Sequence, residues 1–377
     1  MKKRILSLIL SAAVLLSAGC SSGQTNETTT TPANTTTTTT AVVSEEPADG
    51  TEAPETTDPS QYEFEGYDPE LTTSEAETEP SPDEPSRDAA AEFYDGPLTP
   101  AVWKVTDPES GNSMHMMGTI HIIPDREPVV PDYVTAIYEA SDGIAVEYDT
   151  TKVNADFVVQ LQYISYFVLS DGTTIDEHLS ADVLERAREK LRSIGYDPDQ
   201  FIGYNAAYWE SLLSSGLMIS IDGMRQSGID VSFIMKAKQD GKEVRSIEAL
   251  ETQLSVLTML SDEYYEWSIG ELLEMGSEEF EDSFRELYAA WAAGDTTLFD
   301  ETEEEEAEEI PFKFAEEYAA YTEALLQNRN VGMAEKAAEY IGNGDNLLYM
   351  VGFGHFCGEG NVLELLEEKG FTVERIY

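Results

Sequence analysis

The sequence predicts an α/β fold whose central sheet comes from two similar strand–GxxH–helix–strand half-units, with a large helical insertion between them. The first observation is that Met114–His121 and Leu347–His355 are both apolar runs that end in Gly-x-x-His. The second is that each run is followed by a polar loop, an amphipathic stretch and another apolar strand. The third is the mostly helical pattern between the two units. We assign this domain to residues 96–377.

The elements follow in order from turn signals and from hydrophobic periodicity. The first half-unit begins with two strands joined by a turn at Asp107–Asn112, and the second half-unit ends with the last strand of the chain. The predicted strands are Val102–Val105, Met114–Met117, Gly143–Tyr148, Val244–Ile247 and Thr372–Ile376. The predicted helices are Asp132–Ala140, Leu179–Ile194 and several, with breaks, between Ala249 and Tyr340.

Residues 1–20 are predicted to be a lipoprotein signal peptide. A basic start at Lys2–Arg4 precedes an apolar run, Ile5–Leu16, which is shorter than the ~20 residues of a spanning helix. The sequence Leu-Ser-Ala-Gly-Cys that ends at Cys20 resembles a bacterial lipobox. We therefore expect lipid on Cys20 and a protein anchored to the cell membrane at its extracytoplasmic face. The alternative is a plain secretory signal with an incidental cysteine.

Residues 21–95 are predicted to be a disordered tether rich in Thr, Pro and Glu. They contain a threonine run, Thr35–Thr40, almost no aliphatic residues, and Arg87 as the only basic residue. Such a segment buries too little apolar surface to offset its chain entropy.

The formal net charge of −52 excludes some classes of partner. About a third of it lies in the tether and the rest on the domain, with Glu303–Glu306 as the densest run. An acidic surface repels nucleic acid and anionic lipid headgroups, so we expect no nucleic-acid partner. It favours cationic substrates or divalent cations.

The two GxxH motifs predict one composite site. Gly118 and Gly352 lie near strand ends, where glycine lets backbone or ligand approach closely, and His121 and His355 follow each of them by three residues. Side chains at the carboxyl ends of strands face the crevice in which α/β proteins hold ligands. Glu147, after the apolar run Ile144–Val146, is the best-placed carboxylate.

These residue types suit hydrolysis by a metal-activated water. Two imidazoles and a carboxylate can hold a divalent ion such as zinc, manganese or cobalt, with Glu147 as third ligand or as general base. Within residues 96–377, no HExxH or GxSxG motif supports another hydrolase class. The two other histidines are interpreted differently: His115 as a packed or edge residue or a neighbour of the site, and His178 as a surface residue.

At these positions the chain resembles the TraB/GumN family, which includes the Tiki membrane-tethered proteases. The resemblance extends from about Trp103 to Tyr377. It rests on five blocks in the family's order, which are Gly118–His121, Val146–Asp149, Gly228–Asp230 with Gly241–Lys242, Glu248–Leu254, and Arg329–Asn330 with Gly352–His355 and Gly358. Phe356 and the glycine pattern after Gly358 depart from the family.

The resemblance implies a metal-dependent peptidase acting on a peptide or protein substrate, with His121, His355 and Glu147 as its metal-binding and catalytic residues. It also implies a polar role for Arg329, such as binding an oxyanion or a carboxylate. Some family members are associated with peptide-pheromone shutdown. The alternatives are therefore a non-catalytic lipoprotein that sequesters a secreted peptide, and metal-free hydrolysis of an ester with histidine as base.

Overall fold

The computed structural model describes residues 93–125, 129–221, 223–225, 227–299 and 310–377. The predicted signal peptide, Cys20, nearly all of the predicted tether and the Glu303–Glu306 run lie outside these residues, and their assignments stay predictions. In the part of the chain that is described, no helix combines the length and the apolar character needed to cross a membrane.

A six-stranded mixed sheet forms the centre of the domain, with the strand order β6-β4-β7-β2-β1-β8. Strands β6, β4, β7 and β2 run parallel to one another. Next to β2, β1 is antiparallel to it, and β8 pairs antiparallel with β1 at the end of the sheet. Two further short strands, β3 and β5, pair with each other. The strands are β1 Val102–Thr106, β2 Ser113–Thr119, β3 Ile123–Pro124, β4 Gly143–Val146, β5 Met224–Arg225, β6 Glu243–Ser246, β7 Leu347–Gly352 and β8 Thr372–Arg375.

The predicted α/β fold with two half-units is confirmed. The first half-unit runs through β2, helix Asp132–Ala140 and β4; the second runs through β7, helix Val362–Glu368 and β8. Their first strands, β2 and β7, lie side by side in parallel, with Gly118 paired to Val351. The two GxxH motifs therefore leave the sheet at the same edge.

The insertion between the half-units is helical, as predicted, and it also supplies the edge strand β6. Numbered along the chain, the helices are α1 Asp132–Ala140, α2 Thr151–Ala155, α3 Phe157–Ser165, α4 Ala181–Ser193, α5 Ala206–Ile219, α6 Ile229–Asp240, α7 Leu250–Leu257, α8 Asp262–Glu274, α9 Ser277–Ala293, α10 Ala315–Thr322, α11 Asn328–Asn343 and α12 Val362–Glu368. A π-helical turn, Glu323–Gln327, joins α10 to α11.

Both faces of the sheet are covered because strand side chains alternate between them. Met117 and Met350 belong to the core beneath α1, α6 and α9, whereas Met116 and Tyr349 belong to the core beneath α11 and α12. All six residues of β7 are buried, as expected for a central parallel strand. Helices α4, α5, α7 and α8 share a separate apolar core. The strands that carry the motifs are thus packed between helices on both faces of the sheet.

Candidate active site

The predicted site residues meet at the carboxyl ends of the three adjacent strands β2, β7 and β4. His121 lies two residues after β2, and Glu147 directly follows β4. His355 lies in a short 3-10 turn, Phe353–Phe356, which begins where β7 ends. Strand β4 stops at Val146 rather than at the predicted Tyr148, because the Glu147 carbonyl turns to accept from the backbone of Ile247 and Glu248.

The motif glycines permit close contact between the two half-units. A Cβ atom on Gly118 would lie 2.9 Å from the Cα atom of Phe353, a contact that real Cβ atoms do not make. A Cβ atom on Gly352 would lie 3.0 Å from Glu147 Oε1 and 3.8 Å from His121 Nε2. The side chains of Glu147 and His121 therefore converge on the backbone of the opposite motif.

The Glu147 carboxylate is held by three donors. Oε1 accepts from the Gly352 backbone N–H at 2.5 Å, and Oε2 accepts from Arg329 Nη2 at 2.6 Å and from Gln253 Nε2 at 3.1 Å. Burial opposes ionisation, but Arg329 and the two imidazoles outweigh it and lower the pKa of Glu147 to about 2. The carboxylate is therefore ionised and a weak proton acceptor near neutral pH.

Arg329 joins Glu147 to a second buried carboxylate, Glu248. Its Nη2 also donates to Glu248 Oε1 at 2.6 Å, and only 9% of the arginine side chain is exposed. Gln253 donates to both carboxylates. Burial raises the pKa of Glu248, although Arg329 opposes the shift. Arg329 is thus a buried structural cation of the site, which satisfies two carboxylates at once.

The two histidines differ in the partner of their Nδ1 atoms. His121 Nδ1 lies 3.1 Å from Asp230 Oδ2, and His355 Nδ1 lies 2.7 Å from Asn330 Oδ1. Burial lowers the pKa of His121, but Asp230 outweighs it and, together with Glu147, raises the pKa to about 9. Burial, helped by the positive charge of Arg329, lowers the pKa of His355 to about 3.

A small cavity of about 30 Å³ lies between the histidines and an apolar wall. Three leucines form that wall: Leu257 from α7, and Leu325 and Leu326 from the π-helical turn. Arg329 also lines a larger groove of about 500 Å³ between α7 and α11. The groove is lined by Ile247, Glu248, Thr252, Ser255, Val256, Ala324, Asn328, Arg329, Gly332, Met333, Glu335, Lys336 and Glu339.

The donor chemistry of the two imidazoles fits a divalent ion. Metal-binding histidines usually donate one ring N–H to a carboxylate or another oxygen acceptor, which leaves the other nitrogen for the metal. Both Nδ1 atoms have such partners, so a metal ion would bind at the two Nε2 atoms, and His121, whose pKa is about 9, would release its Nε2 proton on binding. His355 Nε2 lies 3.7 Å from Glu147 Oε1. In the described ranges, however, no group of three or more His, Cys, Asp or Glu side chains stands ready as a complete ligand set.

The remaining histidines lie elsewhere. His115 belongs to β2, where it pairs with Lys104 and Leu348 at the end of the strand remote from the site. His178 contacts Asp262 and Thr173 and is partly exposed. Neither one contacts the predicted site residues.

Sequence reasoning gave no role to four residues of the site: Asp230, Glu248, Gln253 and Asn330. All four lie inside the sequence blocks on which the family resemblance rests. The signal that could have found them is the requirement that a buried histidine or arginine has a polar partner.

Comparison with known proteins identifies the family. The model of the TraB/PrgY/gumN family matches residues 101–375. The chain belongs to this family. Among curated proteins, it is similar to metalloprotease TIKI2 of Danio rerio, with 21% identity over an alignment of 315 residues. The alignment covers 72% of this chain. The aligned region spans 60% of TIKI2. No solved structure matches the chain.

Proposed function

We propose that this TraB/PrgY/gumN protein is a metal-dependent hydrolase, a peptidase anchored to the membrane through Cys20 and exposed on the extracytoplasmic side. One observation supports the proposal: His121 and His355 each bond an oxygen atom through Nδ1, and both residues line a shared cavity beside the Glu147 carboxylate. The similarity to a protein named as a metalloprotease supports the reaction class.

The residues that would hold the ion are His121 and His355 through Nε2, with Glu147 Oε1 as the nearest carboxylate oxygen. A bound divalent ion supplies an activated water near neutral pH and polarises a carbonyl. Glu147 has a pKa of about 2, so its role in the proposal is to supply negative charge and an oxygen ligand rather than to accept a proton. Arg329 keeps that carboxylate oriented.

The neighbouring groove supports a peptide substrate. The cavity between the histidines holds about 30 Å³, which is too little for an amino-acid residue, whereas the groove beyond Arg329 holds about 500 Å³. That volume lies within the usual range for ligand pockets, about 300–1,000 Å³. In the proposal, the groove binds the peptide and the scissile bond reaches the histidines past Arg329.

The test measures bound metal in the purified full chain by mass spectrometry, after incubation with manganese, cobalt or zinc. We expect close to one ion per chain in the wild type and loss of it in both His121→Ala and His355→Ala. His178→Ala is the matched control, because His178 also bonds a carboxylate, Asp262, but lies outside the site. Wild-type protein that binds none of the three metals would rule out the proposed mechanism.

The second candidate is a binding lipoprotein that sequesters a secreted peptide without cleaving it. The Glu147–Arg329 ion pair favours this candidate, because the guanidinium, 2.6 Å from the carboxylate, already neutralises negative charge that would otherwise attract a metal ion. Peptide binding that persists in the presence of chelators, with no hydrolysis of the peptide, would support sequestration. Turnover that survives chelators would instead support metal-free ester hydrolysis.

A further inference from the structure

The two motif histidines are bound by different kinds of acceptor, although their positions in the half-units are equivalent. The Nδ1 atom of His121 faces a carboxylate, Asp230, and that of His355 faces an amide, Asn330. Both partners come from outside the GxxH motifs: Asp230 from the first turn of α6 and Asn330 from the first turn of α11. The insertion therefore supplies a dedicated partner to each half-unit.

The orientation of Asn330 determines the tautomer of His355. Asn330 Nδ2 donates to the Gly360 carbonyl at 3.0 Å, so its Oδ1 is the atom that faces His355. An amide oxygen only accepts, so His355 carries its proton on Nδ1 and presents an unprotonated Nε2 to the cavity. Asn330 is 2% exposed and His355 is 4% exposed, which leaves little freedom for either side chain to turn.

The Asp230 carboxylate has one hydrogen-bond partner among the described residues, the His121 imidazole. Its Oδ2 bonds His121 Nδ1, and its buried Oδ1 has no hydrogen-bond partner among the described residues, while the whole residue is only 8% exposed. A buried carboxylate with an unsatisfied oxygen is destabilising, so its presence needs an explanation other than stability. Among the described residues, His121 is the hydrogen-bond partner of this carboxylate, and it provides that explanation.

The backbone just before Asp230 packs against the backbone of Ile120 and His121. The Ile229 N–H donates to the Ile120 carbonyl at 2.9 Å, and a Cβ atom on Gly228 would lie 2.3 Å from the His121 Cα atom. Glycine at 228 is therefore needed for this contact. The contact fixes the start of α6 against the first GxxH motif, and it places the Asp230 carboxylate beside the imidazole.

We propose that Asp230 and Asn330 are positioning residues that hold the two imidazoles with Nε2 turned towards the cavity, and that the charged partner makes His121 the stronger metal ligand of the two. The second part rests on the proposed function, because it needs a metal ion. A carboxylate on the remote nitrogen increases the basicity of an imidazole ligand more than a neutral amide does. The two half-units, alike in sequence, thus supply unequal ligands.

The first experiment reads the tautomers directly by ¹⁵N NMR of the metal-free full chain, labelled at its four histidines. His115→Gln and His178→Gln variants assign the signals. We expect His355 with a protonated Nδ1 and a bare Nε2, and we expect Asn330→Ala to move the proton to Nε2. Asn330→Asp, which keeps an acceptor, restores the wild-type tautomer. A wild-type His355 protonated on Nε2, or an unchanged tautomer in Asn330→Ala, overturns the inference.

The second experiment titrates Co²⁺ and follows its absorption spectrum. We expect affinity to fall about 100-fold in Asp230→Ala, and only about 10-fold in Asp230→Asn, which removes only the charge, and in Asn330→Ala, which removes a neutral partner. Asp262→Asn is the matched control, because it removes the charge from the His178–Asp262 pair outside the site. Wild-type affinity in Asp230→Asn and Asp230→Ala overturns the unequal-ligand inference.

The two readouts separate the inference from the proposed function. If the tautomers respond as expected but the wild type binds no Co²⁺, positioning is supported and the proposed metal chemistry fails. If Co²⁺ binds to the wild type but the His355 tautomer is unchanged in Asn330→Ala, the positioning role of Asn330 is rejected and the proposed metal chemistry is still supported. Circular dichroism confirms that each variant is folded, and the isosteric Asp230→Asn provides a test with the least disturbance of packing.

Discussion

Glu147 is the central residue of the candidate site, because its two carboxylate oxygens contact different groups. Arg329 and Gln253 hold Oε2, whereas Oε1 faces the Gly352 amide and His355. In a buried network of this kind each donor matters, since an unsatisfied charge in a low-dielectric interior is costly. A metal ion at the histidines would use Oε1 without requiring the Arg329 bond to Oε2 to break.

Replacing Glu147 with Gln tests this division between the two oxygens. The change removes one of two carboxylates that share Arg329, so we expect a loss of about 3 kcal/mol in the free energy of unfolding, the lower end of the range for a broken buried ion pair. It also removes the carboxylate next to the histidines, so bound metal and peptide hydrolysis should both be lost. Urea denaturation and metal analysis measure the two effects.

Glu248→Gln is the matched control, since Glu248 binds the same guanidinium but lies outside the histidine cavity. We expect a similar loss of stability with metal still bound at the wild-type ratio. Equal loss of metal in both variants would mean that Glu147 acts only by holding Arg329.

At this scale the sequence predicted which residues converge but not their partners. His121, His355 and Glu147 lie together because strand order places the carboxyl ends of β2, β7 and β4 next to one another, and Arg329 reaches Glu147 from α11. Their catalytic and metal-binding roles stay predictions. Asp230 and Asn330 could not be assigned, since their contacts join residues 109 and 25 positions apart. Such contacts depend on how α6 and α11 pack against the sheet, which local patterns do not encode.

At the scale of elements, the helical insertion builds one wall of the site. The first turn of α11 carries Arg329 and Asn330, and it follows the π-helical turn Glu323–Gln327, whose Leu325 and Leu326 line the cavity. The Leu325 carbonyl accepts from Arg329 Nη1 at 3.2 Å. π-helical turns occur frequently at functional sites. Sequence periodicity predicted helices here but not this turn, because its five residues are too few to show a period of their own.

The groove between α7 and α11 should bind the substrate, and Ser255→Trp tests that expectation. Ser255 is exposed on α7 and lines the groove, so an indole there would occupy space needed by a peptide. We expect KM for a long peptide to rise about 10-fold or more, equivalent to a loss of about 1.4 kcal/mol in binding. The kcat value and bound metal should stay unchanged, because the cavity between the histidines is not altered.

Ser193→Trp is the control for this substitution. Ser193 is also an exposed helical serine whose hydroxyl donates to the carbonyl three residues earlier, but it lies on α4 away from the groove. If both variants behave alike, or if Ser255→Trp leaves KM at the wild-type value, the peptide does not use this groove.

At the scale of the whole molecule, the TraB/PrgY/gumN domain and the predicted anchor are separate parts of one long chain. The composition of residues 21–95 predicts a random coil of some tens of ångströms, at about 5–6 Å × √n for n residues. Fully extended, at ~3.3 Å per residue, the same segment would exceed 200 Å. Its acidic residues repel anionic headgroups. The site would therefore sample a wide layer above the membrane.

The Cys20→Ser substitution tests the anchor without altering the domain. Without the thiol no lipid can be attached at residue 20, so we expect the protein to leave the membrane fraction and to appear in the soluble extracytoplasmic fraction. A single acyl chain binds membranes only marginally, whereas two or more anchor stably, so the change in partition should be nearly complete. Fractionation followed by immunoblotting measures this change in partition, and the metal content of the released protein should equal that of the wild type.

Ser21→Ala, next to the lipidation site, controls for general effects on processing. If Cys20→Ser stays in the membrane fraction after its signal peptide has been removed, the anchor does not lie at Cys20. The apolar side chains exposed on α3, Phe157, Val158 and Leu161, then become the next surface to test.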